Sequence, residues 1–277
     1  MIKVGFIDYF LDEWHANTYP EMMKKWAPGL QVTCAWAKID SPRDGGLTTK
    51  AWGEKYNVEI KNTIEEVIEA ADVLVVLSPD NPEMHEELCR LPLASGKPTY
   101  VDKTFAESFE IGERIKEMAK KGNTPWYTTS ALYFADEYKP YYEQDIAYID
   151  SIGPGYPGNY SIHQLEPAIA MIKAQPVRAI AYAAEPFPSY AIEFEGGKVV
   201  KCAHFPEDGG FMMTLGLADG KSVCVKAESD FWKGFITALN DFFTNGSVPV
   251  PYANTAKVMK ARELAVKALE TPSVWVE

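Results

Sequence analysis

Short apolar runs alternate with amphipathic segments along the first half of the chain. Five of the runs are bounded by turn residues and predict strands, at 2–7, 30–39, 72–79, 97–104 and 125–131. The letters VLVVL at 73–77 form a continuous apolar run, which is typical of a strand buried on both faces of a parallel sheet. Strands that alternate with helices through short loops indicate a doubly wound α/β domain.

Five amphipathic segments between these strands predict helices, at 13–27, 49–57, 63–71, 82–96 and 108–123. Thr63 and Glu66 have the spacing of a capping box at the start of the third segment. Gly96 and Gly122 are suited to ending the fourth and fifth segments. Pro20 lies inside the first segment, and because proline removes a backbone donor we expect that helix to be split there.

The pattern changes after about residue 130. Segments at 134–149 and 160–174 predict helices, and a turn-rich insert at 153–159 precedes the second. Apolar segments joined by tight glycine turns then predict antiparallel strands, at 177–184, 189–197, 198–205 and 210–227. Two further helices complete the chain, at 230–246 and 253–270. We therefore expect a Rossmann-like nucleotide-binding domain over 1–127. An α+β domain with an open, mostly antiparallel sheet is expected to follow over 128–277.

Composition narrows the classes of partner. The 277 residues are 47% hydrophobic, which is enough for a sizeable core, and the formal net charge is −12. This charge argues against binding to nucleic acid or to anionic membranes, because both need basic surface. Four cysteines show no CxxC spacing and suit free thiols in a reducing compartment. No secretory signal and no membrane-spanning run is visible, so the sequence favours a cytoplasmic protein.

Polar residues follow several of the predicted parallel strands. Ligands of such sheets bind at the carboxyl ends of the strands. That rule brings four stretches around one crevice, at 8–13, 37–43, 78–81 and 102–104.

Three stretches in this order resemble the Gfo/Idh/MocA oxidoreductase family. They are LSPDNPEMH at 77–85, GKPTYVDKTFA at 96–106 and NYSIHQLEP at 159–167. Members of the family carry a TPNxxH-like segment, then EKP, then DxGxHxxD, and the resemblance covers essentially the whole chain. It implies NAD(P)-dependent oxidation or reduction of a sugar, polyol or related hydroxy compound. It also implies a homodimer or homotetramer formed through the open face of the second sheet.

The resemblance assigns catalytic roles to three residues. Lys103 matches the lysine of EKP, and His163 and Glu166 match the histidine and the acid of HxxD. Oxidation of a secondary alcohol needs a base for the hydroxyl proton and a cation near the developing oxyanion, which histidine and lysine can supply. His163 and Glu166 are three residues apart, so a helix places them on one face.

The remaining candidate positions follow from the strand ends and the resemblance. The predicted cofactor-binding residues, for NAD or NADP, are Asp8, Phe10, Lys38, Ser78, Pro79, Asn81, His85 and Asp102. The predicted substrate-binding residues are Tyr133 and Asn159. HxxE and DEWH contain possible metal ligands, but no third ligand follows at a recognisable spacing, so no metal site is predicted.

The glycine-rich loop of a dinucleotide site is missing. No glycine lies between Gly5 and Gly29, and Asp8 and Phe10 stand near the first two glycines of GxGxxG. Carboxylates at this point repel a pyrophosphate. Other motif positions also differ, with Ala37 at the usual ribose-binding acid, Thr104 at the proline of EKP, Asn159 at the first acid of DxGxHxxD and Ser161 at its glycine.

These departures leave alternatives open. Lys38, Ser41 and Arg43 suit either a 2′-phosphate of NADP or a solvated loop. The first reading of the chain is a divergent NAD(P)-dependent oxidoreductase. The alternatives on the same fold are a non-redox sugar-processing lyase or isomerase, and a ligand-binding protein without a dinucleotide.

Overall fold

The computed structural model of the chain describes residues 1–182, 185–206 and 209–277. The chain divides into two compact units. Unit 1 consists of Met1–Thr129 with Ile236–Pro251, and unit 2 consists of Ser130–Phe235 with Tyr252–Glu277.

Unit 1 contains a six-stranded sheet in the order β3-β2-β1-β4-β5-β6, in which every pairing is parallel. Its strands are β1 (Ile2–Asp8), β2 (Leu30–Ala37), β3 (Glu59–Ile60), β4 (Val73–Val76), β5 (Thr99–Val101) and β6 (Trp126–Tyr127). All four residues of β4 are buried, as the continuous apolar run predicted. The strand order reverses between β1 and β4, which is where doubly wound sheets bind ligands. The predicted doubly wound parallel sheet is confirmed.

Six α-helices connect these strands. They are α1 (Trp14–Trp26), α2 (Thr49–Tyr56), α3 (Ile64–Ala70), α4 (His85–Leu88), α5 (Arg90–Ala94) and α6 (Phe109–Gly122). Thr63 caps α3 by accepting a hydrogen bond from the Glu66 N–H at 3.2 Å, as the capping-box spacing predicted. Gly5 lets α3 pack closely on β1, since a Cβ there would lie 2.6 Å from Val67 Cγ1.

Two expectations for unit 1 are wrong. Pro20 does not split α1, which runs without interruption through it. The loss of one backbone hydrogen bond is outweighed by burial of Tyr19 and Met23 and by the cap that Glu13 forms. The predicted helix at 82–96 is instead a 3₁₀ turn at Pro82–Met84 followed by the short helices α4 and α5.

Unit 2 contains a second six-stranded sheet in the order β12-β11-β7-β10-β9-β8. Its strands are β7 (Ile146–Pro154), β8 (Pro176–Tyr182), β9 (Ser189–Phe194), β10 (Lys198–Phe205), β11 (Met212–Leu217) and β12 (Ser222–Lys226). Among the described residues of this sheet, β7 and β10 pair in parallel and the other pairings are antiparallel, so the sheet is mostly antiparallel, as predicted. The last two residues of the strand predicted at 177–184 lie outside the described residues.

The prediction of a helix at 134–149 is wrong. This stretch contains a 3₁₀ turn at Lys139–Tyr141 and then the first part of β7. The alternation of buried and less buried residues in β7 has the period of a strand, and its tyrosine and isoleucines favour one. The insert at 153–159 supplies the end of β7 and the first turn of α7 (Pro157–Ile172), with Pro157 at a favoured helix-start position.

One face of the second sheet packs against α7 and α9 (Tyr252–Glu270) and forms the core of unit 2. The opposite face, called here the open face, carries exposed Phe205, Met212 and Tyr182 beside charged Asp150 and Lys201. The helix α8 (Phe231–Asn245) begins in unit 2, and its residues from Ile236 onward belong to unit 1. None of the helices within the described residues is long and apolar enough to cross a bilayer.

Candidate functional site

Asp102 follows β5 directly and is fully buried. One of its oxygens accepts hydrogen bonds from the Lys103 N–H at 2.9 Å and from the Tyr100 hydroxyl at 3.1 Å. The other oxygen bonds to Nδ1 of His15. Burial opposes ionisation of Asp102, but the His15 ring and then the neighbouring Lys103 together hold the pKa of the carboxyl below its ordinary value. Asp102 is therefore a buried carboxylate with donors on both oxygens.

Glu13 caps the start of α1. Its carboxylate accepts hydrogen bonds from the His15 N–H at 2.7 Å and from the Ala16 N–H. A carboxylate here satisfies helix-terminal donors and is favoured by the helix dipole. Burial nevertheless raises the pKa of Glu13 to about 7, although the His15 charge and the Ala16 N–H oppose that shift.

Asp8 ends β1 and is 1% exposed. Its Oδ1 accepts the Tyr9 N–H at 2.7 Å, whereas its Oδ2 is buried and has no hydrogen-bond partner among the described residues. Burial, and then the charge of Glu13, raises the pKa of Asp8 well above its ordinary value. Asp8, Glu13, His15 and Asp102 are called here the acid–histidine cluster.

Lys103 is 8% exposed, and its Nζ donates to the Pro79 carbonyl oxygen at 3.4 Å. Ser78 precedes Pro79 with a φ of 89°, an uncommon value for a residue other than glycine, and donates its hydroxyl to the Asn81 carbonyl at 2.9 Å. The loop after β4 thus turns sharply beside the lysine. Such backbone outliers cluster at functional sites.

His85 joins the loops after β4 and β5. Its Nε2 lies 2.6 Å from the Leu77 carbonyl oxygen, and its Nδ1 lies 3.1 Å from the Thr104 carbonyl oxygen. Burial lowers the pKa of this fully enclosed imidazole. His85 therefore holds the two loops that carry Ser78 and Lys103.

Basic side chains of the loop after β2 contact carboxylates of α4 and of the loop after β4. Lys38 Nζ lies 2.6 Å from Glu87, and the Arg43 guanidinium lies 3.2 Å from Asp80. The same guanidinium covers the buried Phe10 ring, with 5.4 Å between its carbon and the ring centre. Of the other candidates in unit 1, Asn81 donates to Glu83 at 2.7 Å.

In unit 2, α7 brings His163 and Glu166 to the same neighbour. Glu166 accepts the Ser130 N–H, and Ser130 Oγ lies 2.6 Å from His163 Nδ1. The predicted shared helix face is therefore confirmed for these two residues. Tyr133 stacks on Tyr142 with ring centres 4.8 Å apart, and burial, then the Glu166 charge, raises the pKa of Tyr133. Asn159 lies one turn earlier on α7.

Sequence reasoning did not select His15 or Ser130 as site residues. Each contacts a candidate that is distant in sequence, since 87 residues separate His15 from Asp102 and 33 separate Ser130 from His163. The sequence feature that could have indicated His15 is its position shortly after the end of β1. Within the described residues, no group of three or more His, Cys, Asp or Glu side chains could hold a metal ion.

No protein-family model and no curated protein matches the sequence. Solved structures do match in fold. A probable dehydrogenase from Thermotoga maritima aligns with a TM-score of 0.78 at 15% identity, over 99% of this chain and 98% of that one. A scyllo-inositol dehydrogenase from Lactobacillus casei, with bound NAD(H) and scyllo-inositol, aligns at 0.80 and 13%, over 99% and 98%. A biliverdin reductase from Synechocystis sp. PCC 6803, in complex with biliverdin and NADP+, aligns at 0.73 and 12%, over 96% and 98%.

The chain therefore has the two-part fold of these dehydrogenases along its whole length, as the resemblance implied. Fold alone does not carry function, so the cofactor must be tested on the residues present. A pyrophosphate in this kind of sheet binds the first amides of the helix after β1. Here the carboxylate of Glu13 already binds the amides of His15 and Ala16, and buried Asp8 lies beside it. The start of α1 does not fit a pyrophosphate.

Proposed function

We propose that the protein is an enzyme that acts on a hydroxyl group of a sugar, polyol or related small molecule. NAD(P)-dependent oxidation or reduction is the first candidate reaction. The observation that carries it is the full-length likeness to dehydrogenase and reductase structures, of which one holds NAD(H) and another holds NADP+. Because the start of α1 is taken by Glu13, this reaction requires the pyrophosphate to be held away from those amides.

Lys103 is the residue proposed to act in unit 1. Its ammonium is nearly buried at the carboxyl end of β5, where a positive charge stabilises a developing alkoxide. His163 is the residue proposed to handle protons in unit 2, together with Lys103, and Glu166 is its positioning partner through Ser130. The proposed division of roles keeps nucleotide binding over 1–127 and substrate binding over 128–277.

A second candidate function is a non-redox reaction on the same class of substrate, an elimination or an isomerisation. One observation favours it: a protein carboxylate takes the place of the pyrophosphate at α1. Elimination and isomerisation need only proton transfers between the substrate and positioned side chains, together with stabilisation of negative charge.

Calorimetric titration with NAD, NADH, NADP and NADPH separates the two candidates. Mass spectrometry of the denatured protein detects any retained dinucleotide. Micromolar binding of one pair supports the oxidoreductase, and a panel of inositols and hexoses then identifies the substrate. Absence of both binding and retained cofactor contradicts the oxidoreductase and supports the non-redox enzyme.

We further propose a cytoplasmic homodimer or homotetramer with no nucleic-acid or membrane partner. The open face supports self-association, since an apolar cavity of about 600 Å³ is lined there by residues that include Ile152, Phe187 and Phe205. The net charge of −12 supports the exclusion of nucleic acid.

A further inference from the structure

His15 is the histidine of the acid–histidine cluster, and imidazole is the side chain most often used for proton transfer in enzymes. It is the second residue of α1 and lies at the carboxyl ends of the parallel strands, where ligands of such sheets bind. The residue is 6% exposed, and neither candidate function proposed above assigns it a role.

Asp102 fixes the chemical state of the His15 ring. Because Asp102 accepts at Nδ1, that nitrogen carries a proton, and Nε2 is the basic nitrogen of the neutral imidazole. The Asp102 carboxylate is held in place by two further donors, the Tyr100 hydroxyl and the Lys103 N–H. A carboxylate that orients a histidine in this way also stabilises the imidazolium formed when the ring takes up a proton.

The ring plane of His15 is fixed by aromatic contacts. Tyr19 stacks on it with ring centres 4.9 Å apart and planes 13° from parallel, and Trp14 meets it edge-on at 5.4 Å. The backbone at His15 is fixed as well, because its N–H donates to Glu13 at 2.7 Å. A histidine with a set tautomer, plane and backbone is preorganised for proton transfer.

One carboxylate links His15 to Lys103. Asp102 bonds the His15 ring through one oxygen and the Lys103 backbone N–H through the other. The His15 base and the Lys103 cation are therefore both held by the Asp102 carboxylate at the end of β5. These are the two groups that deprotonation of a hydroxyl requires.

We propose that His15, positioned by Asp102, is a proton-transfer residue that removes the hydroxyl proton of the substrate in unit 1. In this step the substrate O–H bond breaks and an N–H bond forms at Nε2. The electron pair remains on oxygen as an alkoxide, whose charge the Lys103 ammonium counters. The inference rests on the proposed hydroxy substrate, and the step belongs to its oxidation or to an isomerisation that begins from the alkoxide.

Titratable groups from several elements of unit 1 lie around His15 and Asp102. They are Asp8 at the end of β1, Glu13 and Tyr19 at α1, Tyr100 on β5, Asp102 and Lys103 after β5, and Tyr127 on β6.

The first test is long-range ¹H–¹⁵N NMR of the ¹⁵N-histidine-labelled protein between pH 5 and 9, with His15→Gln to assign the signal. We expect the neutral His15 ring to carry its proton on Nδ1, and we expect this tautomer preference to be lost in Asp102→Asn. The proposal is overturned if the neutral His15 ring carries its proton on Nε2, or if the Nε2 signal does not change between pH 5 and 9. Neither result requires the substrate to be known.

The second test uses the substrate that the inositol and hexose panel identifies. His15→Gln should lower kcat about 100-fold with little change in KM, and Asp102→Asn should shift the acidic limb of the pH–rate profile. His204→Gln is the matched control, because His204 is a fully buried histidine on β10 of unit 2. Activity that survives His15→Gln but not His163→Gln overturns the role of His15 and leaves the proposed function intact. Failure of dinucleotide binding alone overturns only the redox candidate.

Discussion

At the scale of single residues, Glu13 supplies at the start of α1 the negative charge that an anionic ligand supplies in many nucleotide-binding folds. Its two amide bonds satisfy donors that would otherwise need water or phosphate. Burial of Glu13 beside Asp8 makes ionisation of both carboxyl groups less favourable, and the pKa of each is therefore raised.

Glu13→Gln should change how stability depends on pH. The pKa of Glu13 is raised from 4.5 to about 7 in the folded state, so the folded protein holds this proton at pH values where the unfolded chain has lost it. The free energy of unfolding should therefore fall as the pH rises from about 4.5 to 7. The variant should lack this part of the fall, on the order of 1–3 kcal/mol.

Urea unfolding at pH 5, 6, 7 and 8 measures the effect. The comparison concerns the slope with pH, because the amide also changes the cap at every pH. Parallel curves for the two proteins would show that Glu13 does not titrate in this window.

At the scale of elements, strong local patterns were predictable and elements with weak local signals were not. The run at 73–77 predicted β4, and the spacing of Thr63 and Glu66 predicted the start of α3. The two-residue strand β3 has no periodicity to detect, and the first part of β7 was mistaken for helix.

The same division holds for the candidate site. Lys103, His163 and Glu166 could be selected as candidates from the sequence because each lies in a short motif. The pairs His15–Asp102 and Ser130–His163 were not, since they form only when distant segments pack together. Contacts between distant segments leave no local pattern in a single sequence.

Pro20→Ala tests the correction to α1. Proline at this position removes the N–H that would bond the Ala16 carbonyl four residues earlier, so alanine should raise the free energy of unfolding by about 1–2 kcal/mol. Chemical denaturation measures the change. Pro28→Ala is the control, because Pro28 lies in the exposed turn after α1 and should lose, rather than gain, up to about 1 kcal/mol. Equal changes in the two variants would contradict the argument.

At the scale of the whole molecule, the open face of unit 2 exposes several large apolar side chains. Phe205, Met212 and Tyr182 are 38%, 37% and 51% exposed on it. Asp150 and Lys201 on the same face carry opposite charges. In a contact between two copies of the chain, these charges would fix the position of one copy relative to the other.

Light scattering should therefore give a mass of two or four times 30.9 kDa. Met212→Lys should shift the population toward the monomer, because it places a charge in the proposed contact. Val248→Lys is the control, since Val248 is 44% exposed in unit 1. A monomer in the unaltered protein, or equal effects of the two lysines, would contradict the proposed interface.

The return of the chain to unit 1 through α8 has a consequence for synthesis. Phe242 on α8 is buried in unit 1 and meets Tyr127 edge-on with ring centres 4.8 Å apart. Domains usually fold in order as they leave the ribosome. Here residues 130–235 emerge while the first sheet still lacks the segment that covers Tyr127. Both units thus become complete only as the last helices are translated, and a nascent chain stalled before α8 carries two unfinished cores.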